Sequence, residues 1–158
     1  MKFILSAVLC FCLQFSFAQK LTITTLESIL HTSFSAADQV LIKSKFKLVD
    51  KEIGSGYYNY YYTSYEKPDN ANPILRSISI MDVYNDKDTS RLLLYRTYNA
   101  KDNEELKQQL LASGYQVVKR AGNEFIYQKE NSTITNKITE KKAEGSKPVI
   151  AYEFELGR

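Results

Sequence analysis

The residue types of a Ser-His-Asp catalytic set occur together near the start of the chain. His31, the only histidine, lies close in sequence to Ser28, Ser33 and Asp38. In such a set the imidazole accepts the serine proton and the carboxylate orients the imidazole. Both serines, however, lie on a predicted helix or at its end, and no strand–turn–helix motif surrounds either of them. We therefore interpret His31 as a solvent-facing or half-buried residue at a helix end.

Metal and phosphate chemistry find little support in the sequence. A zinc site needs three or four ligands, whereas the chain has one histidine, and Cys10 and Cys12 lie in an N-terminal segment that we expect to be removed. Oxygen ligands suited to calcium occur at Asp82, Asn85, Asp86 and Asp88. Their spacing lacks the glycine and distant glutamate of an EF-hand, so a hairpin turn is the better interpretation. Gly54-Ser55-Gly56 predicts a turn, not a phosphate loop, and the sequence predicts no cofactor.

Carboxylates on predicted strands leave a hydrolase open as an alternative. Glycoside cleavage uses two carboxyl groups about 5–10 Å apart on either side of the scissile bond. Five glutamates lie on or near predicted strands: Glu124, Glu130, Glu140, Glu153 and Glu155. Sequence spacing alone brings no two of them together, so the prediction remains a protein without catalysis.

A tyrosine-rich strand is the most distinctive feature of the sequence. Residues 57–65 read YYNYYYTSY, and side chains alternate across a strand. Tyr58, Tyr60 and Tyr62 therefore share one face, and Tyr57, Tyr61 and Tyr65 share the other, with Tyr95 or Tyr98 extending one row. Amphipathic rings are favoured at protein interfaces, so Tyr58, Tyr60, Tyr62 and Tyr95 are the candidate partner-binding residues. The alternative is that these rings pack across strands and stabilise the sheet.

The N-terminal segment has the features of a secretory signal peptide. Lys2 is followed by an apolar stretch from Phe3 to Leu13, and Ser16-Phe17-Ala18 matches the small-x-small cleavage pattern. The apolar run is shorter than the 20 or so residues of a membrane span. We expect residues 1–18 to be removed after Ala18 and the protein to be periplasmic or extracellular. Leu9 and Phe11 precede the two cysteines, where lipid attachment needs a small residue.

Composition after cleavage fits one domain without disulfides. The chain has 158 residues, with 21 basic and 18 acidic ones, and of these charged residues only Lys2 lies in the signal. The 20 basic and 18 acidic residues that remain alternate in sign along the chain, which gives no indication of nucleic-acid binding. We expect residues 19–158 to form one α+β domain with no transmembrane segment.

Helix signals occur in two regions. Thr24-x-x-Glu27 is a capping-box pattern that predicts a short helix, and Ser35 predicts the cap of a second helix running to about Lys45. Asp102 or Asn103 predicts the start of a third helix, and Gly114 predicts its end.

Strand signals follow each helical region. Extended stretches are predicted at 46–49, 57–65, 76–84, 91–98, 115–127, 132–141 and 149–156. Residues 115–127 contain a turn at Ala121-Gly122-Asn123, and a further turn is predicted at 144–148. The order of elements predicts a tandem repeat, about 21–99 and 100–158, of a helix followed by an antiparallel β-meander, with the helices on one face of the sheet.

This order, with Phe46-Lys47-Leu48-Val49 leading into tyrosine-rich strands, resembles a family of uncharacterised exported bacterial proteins. The tandem layout is also similar to the β-lactamase-inhibitor-protein-like architecture, which includes outer-membrane assembly lipoproteins and protein inhibitors. The resemblance implies a non-catalytic binding module that engages a protein or cell-envelope component, or an inhibitor or immunity protein. The absent lipid-attachment pattern is a departure from the assembly lipoproteins.

Overall fold

The computed structural model describes residues 21–68, 72–85, 88–141 and 148–157. Within them lie three helices: α1 Ile23–His31, α2 Phe34–Lys43 and α3 Ala100–Ala112. They also contain eight strands: β1 Lys47–Gly54, β2 Tyr57–Glu66, β3 Ile74–Tyr84, β4 Thr89–Thr97, β5 Gln116–Ala121, β6 Glu124–Lys129, β7 Ser132–Lys141 and β8 Val149–Gly157. The predicted signal peptide, Asp86 and most of the predicted turn at 144–148 lie outside the described residues.

The first helix begins two residues earlier than the capping-box pattern predicts. Thr22 is the N-cap, and its hydroxyl accepts a hydrogen bond from the backbone N–H of Thr25 at 3.1 Å. Thr24 lies inside the helix, so the predicted start there is wrong. Glu27 does not close a capping box, because its carboxylate accepts a hydrogen bond from the Tyr115 hydroxyl at 2.6 Å.

The other two helices also begin at polar residues upstream of those predicted. Ser33, and not Ser35, caps α2, and Asn99 caps α3 by accepting hydrogen bonds from two backbone N–H groups. Asp102 lies in the first turn of α3. The predicted stop at Gly114 is confirmed, since it follows the C-cap in a left-handed conformation (φ +89°) that glycine adopts without strain. No helix in the described part of the chain is long and apolar enough to cross a bilayer.

The strands form one antiparallel sheet in the order β1-β2-β3-β4-β8-β7-β6-β5. Each half of the chain contributes a four-stranded meander, and the two meanders meet where the last strand of each, β4 and β8, pair. The first strand of each meander, β1 or β5, is an edge strand. This confirms the predicted α+β fold with a mostly antiparallel sheet. The sheet has eight strands, where the sequence predicts six or more.

One hydrophobic cluster joins helices and strands from both halves. Its fully buried members include Leu26 of α1, Leu41 of α2 and Leu110 of α3. The strands contribute alternate residues, among them Ile78, Ile80, Leu93, Phe154 and Leu156. Because side chains alternate across a strand, these residues define one face of the sheet, which we call the core face.

A buried arginine fastens the end of α1 to the sheet. Arg91 on β4 forms a bidentate ion pair with Asp82 on β3, and its Nη1 donates to the backbone carbonyls of Ile29 and Thr32 at 2.8 and 2.7 Å. The hydrogen bonds with Asp82 raise the pKa of Arg91, which therefore stays charged. Carbonyls at a helix C-terminus lack intrahelical partners, so this contact fixes where α1 ends on the sheet.

A second buried arginine does the same for the start of α3. Arg76 on β3 donates from Nε to Asp102 at 2.6 Å and from Nη1 to Glu66 at 2.8 Å. The Thr97 hydroxyl donates to the same oxygen of Asp102 at 3.2 Å. The two arginine clusters fix the positions of α1 and α3 along the sheet, which apolar packing alone does not.

Candidate partner-binding groove

The structure does not assemble a Ser-His-Asp set. His31 is exposed at the C-terminal end of α1, as the sequence predicts, and Ser33 is a helix cap. Asp38 accepts a hydrogen bond from the Tyr62 hydroxyl at 2.8 Å. Ser33 is therefore engaged in capping α2, and Asp38 in a hydrogen bond between α2 and the sheet.

The calcium-type ligands are likewise used in structure. Asp82 is buried against Arg91. Asn85 and Asp88 close a turn, because the Asp88 N–H donates to Asn85 Oδ1 at 2.7 Å and the Asn85 N–H donates to the Asp88 carbonyl at 3.1 Å. The described residues contain no group of three or more histidine, cysteine, aspartate or glutamate side chains placed to hold a metal ion.

The predicted partner-binding tyrosines lie on the core face, which corrects the prediction. Tyr60, Tyr62 and Tyr95 are 9%, 0% and 2% exposed, and Tyr58 is half-buried against Tyr60. Burial and the hydrogen bond with Asp38 raise the pKa of Tyr62. The physical reason is that Tyr60 stacks on Phe34 of α2 and Tyr62 hydrogen-bonds to Asp38 of α2, so these rings bury apolar area and stabilise the sheet.

On β1–β4, the residues that alternate with those of the core face point to the other surface of the sheet, which we call the open face. A groove of about 740 Å³ lies there, and in the described part of the chain only strand residues line it. We call it the open-face groove and define it by Glu52, Tyr61, Ser79, Met81, Leu92 and Leu94. Of the tyrosines on this parity, Tyr57 and Tyr61 are half-exposed and Tyr65 is 64% exposed.

The floor of the groove is apolar. Met81 on β3 lies directly opposite Leu92 on β4, and Leu94 lies opposite Ser79. Leu92 is 36% exposed although neighbouring Leu93 is completely buried. Directly opposite side chains lie about 5 Å apart at Cβ, so these three residues form a continuous apolar surface, of which Leu92 is exposed and Met81 and Leu94 are half-buried.

A chain of hydrogen bonds crosses three strands beside this floor. Ser79 donates to Asn59 Oδ1 at 2.6 Å, and Asn59 Nδ2 donates to the Tyr61 hydroxyl oxygen at 2.6 Å. Tyr61 in turn donates to Glu52 Oε2 at 3.0 Å, while Tyr57 donates to Glu52 Oε1 at 2.6 Å. Asn59 is only 3% exposed. The network therefore fixes the orientation of the polar wall before any ligand binds.

The tyrosine hydroxyls set the electrostatics of the groove. Hydrogen bonds from Tyr57 and Tyr61 lower the pKa of Glu52, so its carboxylate is ionised at neutral pH. The same hydrogen bonds raise the pKa of both tyrosines, which stay protonated and keep donating. At the other side of the groove Arg96 pairs with Glu153 at 2.6 Å.

None of the five carboxylates considered for glycoside cleavage lines the open-face groove. Glu153 is paired with Arg96, and it is the only one of the five that lines a described pocket, a 210 Å³ hollow next to the open-face groove. Glu124 lies opposite Lys137 on the neighbouring strand, and Glu155 lies opposite Thr135. Asp50 and Glu52 both line the open-face groove, and sequence reasoning missed them because their proximity to Tyr61 and Asn59 follows from strand register.

Comparison of this chain with known protein families, with curated proteins and with solved structures finds no match.

Proposed function

We propose that this protein is an exported, non-catalytic binding module that holds a protein partner in the open-face groove. The observation that carries the proposal is a partly exposed apolar floor of Met81, Leu92 and Leu94 beside a polar wall whose hydrogen bonds are already made. An apolar centre with an ordered polar border is the general anatomy of a protein interface. An inhibitor or immunity protein is the case in which the partner is an enzyme or a toxin.

Preorganisation of the wall supports binding. Association costs free energy when side chains must be ordered at the interface. Glu52, Asn59 and Tyr61 are held by hydrogen bonds within the chain, and the floor belongs to two central strands of the sheet. A partner that docks there orders few side chains of this protein.

The lowered pKa of Glu52 argues against its use as the acid of a hydrolase. A glycosidase needs one carboxylic acid that holds a proton near neutral pH, which requires a raised pKa. Glu52 has a lowered pKa because two tyrosine hydroxyls donate to it. An ionised carboxylate suits recognition of a cation better than proton donation to a leaving group.

We further propose that the two halves are a tandem repeat with the helices on the core face. Lys45 and Gly114 each follow a helix with positive φ, 65° and 89°. The next strand then carries a bulge at the same place, between Leu48 and Asp50 in β1 and between Val117 and Lys119 in β5. Equal irregularities at equivalent positions favour duplication of one unit.

Site-specific photo-crosslinking in the native cell envelope tests the function. A benzophenone amino acid replaces Ser77, which lines the groove, and in a matched control it replaces Leu111, which is 55% exposed on α3. We expect one protein partner to be crosslinked from position 77 and not from position 111. The crosslink is expected to be lost in Leu92→Asp, which places a charge on the apolar floor.

The variant must remain folded for that loss to count. Its thermal midpoint is compared with that of the unchanged protein, and we expect similar values because Leu92 is partly exposed. Equal crosslinking from both positions, no crosslink from position 77, or a crosslink that persists in folded Leu92→Asp contradicts the proposal.

A further inference from the structure

The open-face groove carries excess negative charge. Asp50 and Glu52 line it, and Arg96, its one positively charged lining residue among those described, is already paired with Glu153. Within the described residues, neither Asp50 nor Glu52 takes part in an ion pair with a lysine or arginine. The groove therefore presents two uncompensated carboxylates to a partner.

The nearest lysines on β1 do not neutralise this charge. Lys51 lies between the two acidic residues in sequence, but its Nζ sits over the rings of Tyr58 and Tyr60 at 5.1 and 5.2 Å, on the other face of the sheet. Lys47 is opposite Thr63, one bulge away from Asp50, and does not line the groove. Alternation along the strand thus places Lys51 on the other face from the two carboxylates. Lys47 is on their face, but among the described residues it forms no ion pair with either of them.

Glu52 retains room for a further donor. A carboxylate offers about four acceptor positions, and Tyr57 and Tyr61 occupy one on each oxygen. The side chain is exposed, so the remaining positions face solvent. An ammonium or guanidinium group brought to this point meets an oriented, ionised acceptor, which is the arrangement of a strong charge-assisted hydrogen bond.

Strand register fixes the distance between the acidic and the apolar parts. Glu52, Asn59, Met81 and Leu92 form one row across four strands. Adjacent strands lie about 4.8 Å apart, which puts Glu52 roughly 10 Å from Met81 and 14 Å from Leu92. An extended chain advances about 6.7 Å per two residues. An apolar residue three or four positions from a lysine or arginine spans this distance.

We infer that the groove recognises a basic, apolar segment of a protein, with a leucine-like side chain on the Met81–Leu92 floor and a lysine or arginine against Glu52 and Asp50. The inference rests on the proposed function and specifies the chemistry of the partner. A protein segment is favoured over an oligosaccharide because the floor is made of methionine and leucine side chains and because Asn59 and Ser79 already bond to each other.

A library of random twelve-residue peptides displayed on phage is selected against the full chain, with removal of peptides that also bind Leu92→Asp. We expect the retained peptides to contain lysine or arginine three or four positions from an apolar residue. One such peptide is then synthesised and titrated while the methyl resonance of Met81 is followed by NMR. Met1 and Met81 are the only methionines, so Met81→Leu assigns the signal.

Variants that remove one carboxylate distinguish recognition of the basic residue of the peptide from binding in the groove as such. Glu52→Gln is expected to lower the affinity for that peptide about fivefold at low salt, which is the usual contribution of one partly exposed ion pair. The matched control Glu140→Gln, on an exposed carboxylate outside the groove, is expected to leave its affinity unchanged. High salt is expected to reduce binding to the unchanged protein more than to Glu52→Gln, because screening acts on the charge pair.

Groove-dependent peptides without basic residues overturn the inference and leave the proposed function standing. Groove-dependent binding to an oligosaccharide array in place of peptides overturns both the inference and the protein partner of the proposed function. If no peptide distinguishes the unchanged protein from Leu92→Asp and no array sugar does, the inference and the proposed function both fail. Equal weakening by Glu52→Gln and Glu140→Gln also overturns the inference.

Discussion

Arg91 and Asp82 form a bidentate ion pair beneath the end of α1, with their side chains 8% and 4% exposed. The pair is central to how the helix is attached, because the same guanidinium also donates to the carbonyls of Ile29 and Thr32. The ion pair also buries Asp82, which the sequence analysis considers as a calcium ligand.

Removal of one partner of this pair is expected to be strongly destabilising. Asp82→Ala leaves a buried guanidinium without its counter-charge, and we expect a loss of about 3–5 kcal/mol in the free energy of unfolding. Urea denaturation measures the loss. The double variant Asp82→Leu with Arg91→Met is expected to lose less than the single one. It should not recover fully, since the carbonyls of Ile29 and Thr32 lose a donor at about 1 kcal/mol each.

The opposite roles of neighbouring tyrosines provide the second prediction. Tyr62→Ser empties a ring site in the core and is expected to cost about 3–5 kcal/mol in the free energy of unfolding. Tyr62→Phe removes only the hydrogen bond to Asp38 and is expected to cost about 1 kcal/mol. Tyr61→Ser is expected to leave the fold stable but to weaken binding in the groove. Thermal unfolding together with peptide affinity distinguishes the two faces, and a stable Tyr62→Ser would contradict the burial of this row.

The sequence predicts the strands of β2–β4 well but not which face of β2 is covered. Both parities carry tyrosine, at 58, 60 and 62 and at 57, 61 and 65, so hydrophobicity does not distinguish them. The choice depends on where the helices lie, and that depends on contacts between distant residues such as Arg91 with Ile29. Register, which no local pattern encodes here, also places Glu52, Asn59 and Met81 in one row.

The start of α1 provides a third prediction and shows a second limit of local pattern. Thr22, Thr24 and Thr25 all offer hydroxyls, but only Thr22 is the cap. Thr22→Ala is expected to lower the free energy of unfolding by about 1 kcal/mol, the usual cost of losing a cap. Thr24→Ala, at an exposed position inside the helix, is expected to change it by less than about 0.5 kcal/mol. Chemical denaturation of both variants decides between the two starts.

Export is a fourth prediction and concerns the segment ahead of the described residues. When the full-length gene is expressed in a Gram-negative host, we expect the protein in the periplasmic or extracellular fraction with Gln19 as its first residue. Ala18→Glu is expected to block cleavage, because the peptidase requires a small side chain there. Intact-mass measurement of both forms reads the result. A cytoplasmic protein that retains Met1 would contradict the export proposal.

The ionisation of Glu52 provides a fifth prediction, with a defined sign. Its pKa is lowered by the Tyr57 and Tyr61 hydroxyls, so its contribution to stability is present above its ordinary pKa and is lost as the pH falls through the lower, folded-state value. The double variant Tyr57→Phe with Tyr61→Phe is expected to raise the pKa of Glu52 towards its ordinary value. NMR titration of the side-chain carboxyl carbon measures this change. The control is Tyr65→Phe. Tyr65 is on the same face but is not among the tyrosines that donate a hydrogen bond to Glu52, so we expect the titration to be unchanged. An unchanged pKa of Glu52 in the double variant would contradict this account, because the two tyrosine hydroxyls would then not be the cause of the lowered pKa.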